Sequence, residues 1–548
     1  MTLHDSFAGE LKRPLAVLSG AVALLLLIAC ANVANLMLAR AATRRRELAV
    51  RSALGGGRLR ITRQLFAESV WIAFGAAAIG TAVAWASLRL AAAFVGQDLG
   101  VPGEIRVNAT VVLFAIGVSA FTALLFGLAP ALGAMRGTLQ DTLRDGGRGS
   151  TTGVAGGRMR GALVVAEVAL SLVLLVGAGL LARSFQKLSS VDAGFDRQSA
   201  LTATLSLPST RYSTAERIAF FQQFEERARV LPAVREAGLV NMLPMSNRWS
   251  CDSFALSDRE PPPSGQEPCA ETRSVSPTYF DAFGIPSLHG RTFTDADREG
   301  APLVAVINRR MADESWPGDD AVGRRVKWGW HGADSPWLEI VGVVGDVKHF
   351  GLDGEDRAAI YTPMAQNPAS MMTLVAGTNG DPAAVASDIR GIVRSMDPDL
   401  PLTRLETMSQ VVSRSVAAPR FRTLLLGVFA AVALLLSLSG LYGVLAFAVA
   451  QRTHEFGIRM AVGAARADVL RMVVRQGLAL VIAGIAIGLP VALLATRALQ
   501  GMLFEIPATD AATFAAIAAL LVVVSALASW VPARRATRVD PMVALRDE

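Results

Sequence analysis

The sequence predicts an α-helical polytopic membrane protein carrying one large extracytoplasmic α/β domain. Three observations lead there: seven apolar runs of near-spanning length, arginine clusters confined to alternate connections between them, and one long polar stretch between the fourth run and the fifth. The chain has 548 residues, 52% of them hydrophobic, and that apolar share is concentrated rather than spread. A hydrocarbon core of about 30 Å takes roughly 20 helical residues to cross. Residues 15–38, 69–88, 110–129, 161–182, 424–448, 477–496 and 511–531 meet that length with almost no charge. Buried helices of a large soluble protein are shorter and more amphipathic, which disfavours a soluble fold.

A net charge of +7 would suit a nucleic acid if its sign alone decided, but its placement points to the lipid bilayer. Between the first two runs stand Arg40, Arg44, Arg45, Arg46, Arg51, Arg58, Arg60 and Arg63 against Glu47 and Glu68. Arginines crowd again at 136–160, 452–475 and 534–546, whereas 96–109 holds only Arg106 and 499–510 holds none. Basic loops stay cytoplasmic. Strict alternation of seven spans then puts the N-terminus outside and the C-terminus inside a cell (inner or plasma) membrane.

The same alternation places 183–420 outside, large enough for a folded domain of one or two cores. Residues 1–13 are an extracytoplasmic remnant. The first run is too long for a signal-peptide core and is followed by a stop-transfer cluster. Cys30 falls in a span. Cys251 and Cys269 fall in the outer domain, where an oxidising compartment permits a disulfide closing a loop of about twenty residues, worth roughly 3 kcal/mol.

The two membrane halves resemble one another. "RRRELAVRSALGGGR" leaves the first span and "QRTHEFGIRMAVGAAR" leaves the fifth, so that Glu47, Arg51, Ala53 and Gly55 fall on Glu455, Arg459, Ala461 and Gly463 at one offset. "PALGAMRGTLQDTLRD" likewise matches "PARRATRVDPMVALRD" near the C-terminus. We divide the chain into a three-span unit at 14–135, a cytoplasmic linker at 136–160, the fourth span at 161–182, the outer domain, and a second three-span unit at 421–548. Within the linker, "GGRGSTTGVAGG" at 146–157 has the composition of a flexible tether.

In the outer domain, alternation over 200–207 predicts a strand. Ser213 and Glu216 form a capping-box pattern ahead of a helix whose apolar face carries Ile218, Phe221, Phe224, Ala228 and Leu231. Further strands are expected at 303–307, 339–347 and 371–376, and Asp381 with Pro382 opens a helix ending near Ser395. The prolines of 260–265 mark a surface loop.

Chemistry-bearing motifs are few. No Lys follows a Gly, so the phosphate-cradling Walker A loop is missing, and Gly55, Gly56 and Gly57 read as a helix stop. Zinc spacing, HExxH and GxSxG are absent, which argues against an enzyme and predicts neither a metal nor a cofactor. His289, His331 and His349 are scattered and read as ordinary surface or packed histidines. Glu167 stands inside the fourth span, about two turns from its cytoplasmic end. An intramembrane acid is a functional candidate by default, and both helix packing with a partner such as a flanking Arg and proton relay stay open. The repeated E-x-x-x-R-x-A-x-G is the strongest pattern. As an i,i+4 pair each copy is worth about 0.3 kcal/mol to a surface helix, which does not account for its recurrence at both cytoplasmic exits. Two short stiff helices shown to the cytosol suit a two-fold partner that pushes on both.

These motifs, with the closing "VDPMVALR", resemble the signature of MacB/FtsX-type permeases, in which this element is the coupling helix seated on a nucleotide-binding subunit. "YFDAFGIPSLHGRTFTDAD" and "LEIVGVVGDVKHFGL" are similar to that family's periplasmic core domain. Two permease units in one chain look most like the family's duplicated orphan permeases, and against their eight spans and two outer domains this chain reads as N-terminally truncated. The resemblance implies mechanotransmission. A separate cytoplasmic ABC ATPase dimer, which would bind the ATP, moves the spans, and the outer domain works on a substrate, adaptor or enzyme outside. The alternative is a membrane regulatory or scaffold protein whose outer domain binds and activates an extracytoplasmic partner.

Overall fold

A computed structural model describes residues 3–43, 74–87, 151–246, 250–260, 262–263, 265–329 and 333–537, with positions 89, 110, 113, 114, 116 and 117. The chain divides into two units, Met1–Lys187 with Pro419–Glu548, and Leu188–Ala418. Helix α1 (Leu3–Thr43) carries the first apolar run and tolerates Pro14 near its start. Helix α2 (Phe74–Ser87) covers most of the second run, whereas nearly all of 110–129 lies outside the described residues.

Helix α3 (Thr151–Ser189) outruns the expected span at both ends. The tether expected at 146–157 is therefore helical from Thr151 onward. Once a span has nucleated a helix, each further residue adds a hydrogen bond, and a few glycines at about 1 kcal/mol each do not stop it. Of its apolar window 72% is buried, against at most 33% for the other four long apolar helices, so α3 is the helix around which its unit packs.

The outer unit begins with β1 (Ala200–Ser206) and α4 (Thr214–Arg229), whose capping box at Ser213 and Glu216 is formed. Phe221, Phe224 and Ala228 are buried, as a 3.6-residue stripe requires, against β1, β2 (Val234–Val240) and β10 (Met371–Thr378). Strands β3 (Asp252–Leu256) and β4 (Cys269–Val275) follow, then a short α5 (Tyr279–Phe283), β5 (Ser287–Gly290), β6 (Val304–Asn308) and α6 (Arg309–Ser315). Next come β7 (Arg325–Trp328), β8 (Leu338–Val344) and β9 (Ala359–Pro363). After β10, Asp381 caps a 3-10 turn that runs into α7 (Ala386–Met396), followed by β11 (Arg404–Thr407) and α8 (Met408–Ser415).

The strands join in the order β11-β1-β10-β2-β4-β3-β7-β8-β6-β9, with β4 also pairing β9 in parallel. Two cores result. Leu205, Phe224, Leu239 and Ile389 centre one, and Ile307, Met311, Ile340 and Ile360 the other. Gly238 lets α5 lie directly on β2, because a Cβ there would come 2.5 Å from the Tyr279 Cα. Beneath it Glu225 of α4 is buried. Its carboxylate accepts from Ser276 Oγ at 3.0 Å and from Thr278 Oγ1.

The chain re-enters the first unit through α9 (Ala417–Gln451), turns at α10 (Thr453–Ala461), and returns through α11 (Arg466–Ala495). A 3-10 turn (Thr496–Met502) leads to α12 (Ala511–Ala536). Small residues let these helices close on α3. A Cβ at Gly484 would meet Val168 at 2.6 Å, and one at Gly488 the Ala169 Cα at 2.8 Å. At the far end, Arg183 of α3 pairs with Asp510, the cap of α12, and Lys187 with Glu505 at 2.9 Å.

Burial lifts the Glu225 carboxyl from its ordinary 4.5 to about 7, outweighing the two hydroxyl donors and Arg229. A folded state that holds the proton more tightly is stabilised below the ordinary range and loses that stability as pH rises toward 7. The term is about 3 kcal/mol. We expect the unfolding temperature of the full chain in detergent, followed by tryptophan emission, to fall between pH 4.5 and 7. In Glu225→Gln that slope should be clearly shallower, and an equal slope in both proteins would exclude Glu225 as a source of it.

Candidate functional site

The second copy of the repeated motif forms α10, nine residues between two long apolar helices. One residue, Arg452, separates it from α9, and the Phe456 N–H donates to the Arg452 carbonyl at 3.0 Å. Glu455 in the first turn and Arg459 in the last complement the helix dipole and pair with each other at 2.5 Å. Both side chains are about half exposed, so the pair is worth a few tenths of a kcal/mol and serves alignment more than stability. The helix stops at Gly463, whose φ of +102° suits a residue without Cβ. There the Gly463 N–H donates to the Met460 carbonyl at 3.1 Å and the Ala464 N–H to the Arg459 carbonyl at 2.9 Å.

What roots α10 is Phe456. Only 2% exposed, it enters a cluster with Val164, Leu445, Val469, Val473 and Ala533. The Arg459 guanidinium reaches back to the Met472 sulfur of α11 at 3.4 Å. The opposite face is apolar yet open: Ile458 is 42% and Val462 83% exposed, beside Ala461 and the Glu455–Arg459 pair. The sequence pattern gave the ion pair and the glycine stop. The exposed i,i+4 pair of Ile458 and Val462 was missed, although its apolar spacing on the motif's charged side could have found it. The first copy, with Glu47, Arg51, Ala53 and Gly55, lies outside the described residues.

Glu167 is fully buried on α3, and neither carboxyl oxygen has a hydrogen-bond or ion-pair partner among the described residues. It faces Gly440 of α9 and Asn32 of α1. In the outer unit, Cys251 and Cys269 are bridged, their Cα atoms 5.2 Å apart at the head of the β3–β4 pair.

One buried constellation has no counterpart in the sequence reading. Arg273 and Glu271 of β4 pair at 2.9 Å with both side chains out of solvent, beside Tyr279, His349 and Tyr361. Burial raises the Glu271 carboxyl against the pull of Arg273, and burial together with Arg273 drives the His349 imidazole well down, so it stands neutral. Charges in a strand pattern read as a solvated face, and only their pairing in space shows that β4 is interior. His289 is exposed, and His331 lies outside the described residues. No cluster of His, Cys, Asp or Glu suited to a metal occurs among the described residues.

The FtsX-like permease C-terminal family matches residues 19–139 and again 427–541, and the MacB-like periplasmic core domain family matches 161–392. Among curated proteins the chain is similar to the pyoverdine export ATP-binding/permease protein PvdT of Pseudomonas syringae pv. tomato. They are 30% identical over 286 residues, which cover 50% of this chain and 42% of that one. It is also similar to the macrolide export ATP-binding/permease protein MacB of Escherichia coli, 25% identical over 300 residues, or 52% of this chain and 44% of that one. The chain thus spans less than half the length of these curated relatives. The crystal structure of the periplasmic region of MacB from Actinobacillus actinomycetemcomitans aligns with 42% of this chain and 99% of its own, at 12% identity and a TM-score of 0.29.

Truncating Phe456 removes the one buried side chain that roots α10, at a cost of about 3 kcal/mol. In Phe456→Ala we expect proteolytic cleavage within 452–465 to speed up at least tenfold while α9 and α11 remain inserted. Equal cleavage rates in both proteins would show that α10 is held by its chain connections alone.

Proposed function

We propose that this chain, which belongs to the MacB/FtsX type of permease, is the membrane subunit of an ABC-type export system driven by a separate cytoplasmic ATPase. The observation that carries this reading is α10. It is short, closed at one end by Gly463, rooted by Phe456, and it turns an apolar face with an ion pair outward. A helix seated this way moves with α9 and α11 rather than independently of them. A push on Ile458, Arg459 and Val462 is delivered to two helices at once, and α9, at 1.5 Å per residue, carries it roughly 50 Å. The far end of α9 is where the chain passes into the outer unit.

These 548 residues contain no Walker A sequence, which is consistent with a nucleotide bound on another subunit. The relatives' names join an ATP-binding part to a permease part, and the chain matches the permease side through its family assignments. On this reading the segment at Glu47 to Gly55 supplies a second docking helix. The ATPase would then be a dimer, one subunit under each.

Two measurements test the reading. Arg459→Glu sets like charges at i,i+4, and Val462→Asp puts a charge in the centre of the exposed apolar face. Each should cut co-purification of the ATPase at least tenfold without loss of membrane insertion, and the Arg51→Glu, Arg459→Glu pair should abolish ATP-dependent export. Unchanged complex formation would remove α10 as the docking element and favour the scaffold reading. Orientation is separable. In a Cys30→Ser background, an impermeant thiol reagent should label Asp399→Cys from outside and Val462→Cys only after permeabilisation, and the reverse pattern would invert the topology.

A further inference from the structure

Three helices of the membrane unit meet at a polar seam that the coupling reading does not use. Helix α3 contributes Glu167 and Ser171, α1 contributes Asn32 and Asn35, and α9 contributes Ser437 and Gly440, all buried. Ser171 Oγ donates to the Ala433 carbonyl at 3.0 Å, and Asn32 Nδ2 donates to the Leu436 carbonyl at 2.6 Å. The second bond fixes the amide. A carbonyl only accepts, so the nitrogen of Asn32 faces Leu436 and its Oδ1 turns the other way.

That oxygen and a carboxyl oxygen of Glu167 both lie over Gly440. A Cβ on Gly440 would lie 2.9 Å from Asn32 Oδ1 and in collision with Glu167 Oε2, so both occupy the space left by the missing side chain. Neither Glu167 oxygen has a donor among the described residues, and Asn35 Oδ1, one turn along α1, has none either. Facing oxygen lone pairs repel unless a proton lies between them, and an ionised carboxylate without a partner is costly inside a bilayer. Among the described residues no neighbouring charge substitutes for the proton. Across their apolar stretches α1 offers only Cys30 as a titratable group, α9 only Tyr442, and the adjoining face of α11 none. Arg160, on the same face of α3, is two turns away with its guanidinium 4.1 Å from the Phe447 ring centroid.

We propose that Glu167 is a proton-binding site in this seam, carrying a proton that it donates to Asn32 Oδ1 and so clasping α1, α3 and α9. No bond other than the O–H is made or broken. When α9 withdraws, water admitted to the seam takes the proton, and closure binds one again. A cycle that opens the seam therefore exchanges a proton each time. The site needs only the membrane placement of these helices and does not rest on an ATPase partner.

The full chain in lipid nanodiscs provides the test. The infrared difference between the unchanged protein and Glu167→Gln at neutral pH should contain the carbonyl stretch of a protonated, hydrogen-bonded carboxylic acid. A carboxylate pair of bands in its place would overturn the proposal. Glutamine keeps a neutral donor, so Glu167→Gln should hold the unfolding temperature of the unchanged protein, whereas Glu167→Ala and Asn32→Leu should each lower it. If Glu167→Gln is lowered as far as Glu167→Ala, the side chain is held as an anion and the clasp is wrong.

Discussion

Hydrocarbon offers no hydrogen bonds, and the membrane unit is organised around that fact. Backbone groups of a spanning helix are satisfied mainly within it, which leaves helix association to close packing and to a few buried polar side chains. Helix α3 is the focus of both. Gly484 and Gly488 let α11 lie directly on it, and Ser171 ties it to α9. Larger residues at those glycines would push α11 off α3.

The outer unit answers to different physics. Water surrounds it, so apolar burial drives its two cores, and a ladder of strands runs from one core to the other. Its interior still holds charge. A buried Arg273–Glu271 pair is a weak source of stability, because desolvation offsets attraction, but losing one partner would strand the other. That asymmetry ties β4 to a single register, since a slip of one residue would send both charges to the opposite face.

How much of this was legible depended on which force left a mark in sequence. Apolar runs marked the five long apolar helices among the described residues, because lipid tolerates few alternatives at a given length. The capping box at Ser213 and Glu216, the proline start at Pro382 and the glycine at Gly463 are local rules and were readable as such. The buried charges of β4 were not, since pairing is a property of space and not of spacing. Nor was the helical course of 151–157, where glycines argue for a tether and the adjoining span outweighs them. The setting of Glu167 was half readable. Its depth in the span was plain, but its neighbours Asn32 and Gly440 lie far away in the chain.

The bridge between Cys251 and Cys269 turns the proline-bearing loop between them into a closed ring. A peptide bond cut anywhere in that ring leaves the two fragments covalently joined, so the domain tolerates nicking there without shedding either half. Protein made in a reducing compartment lacks the ring.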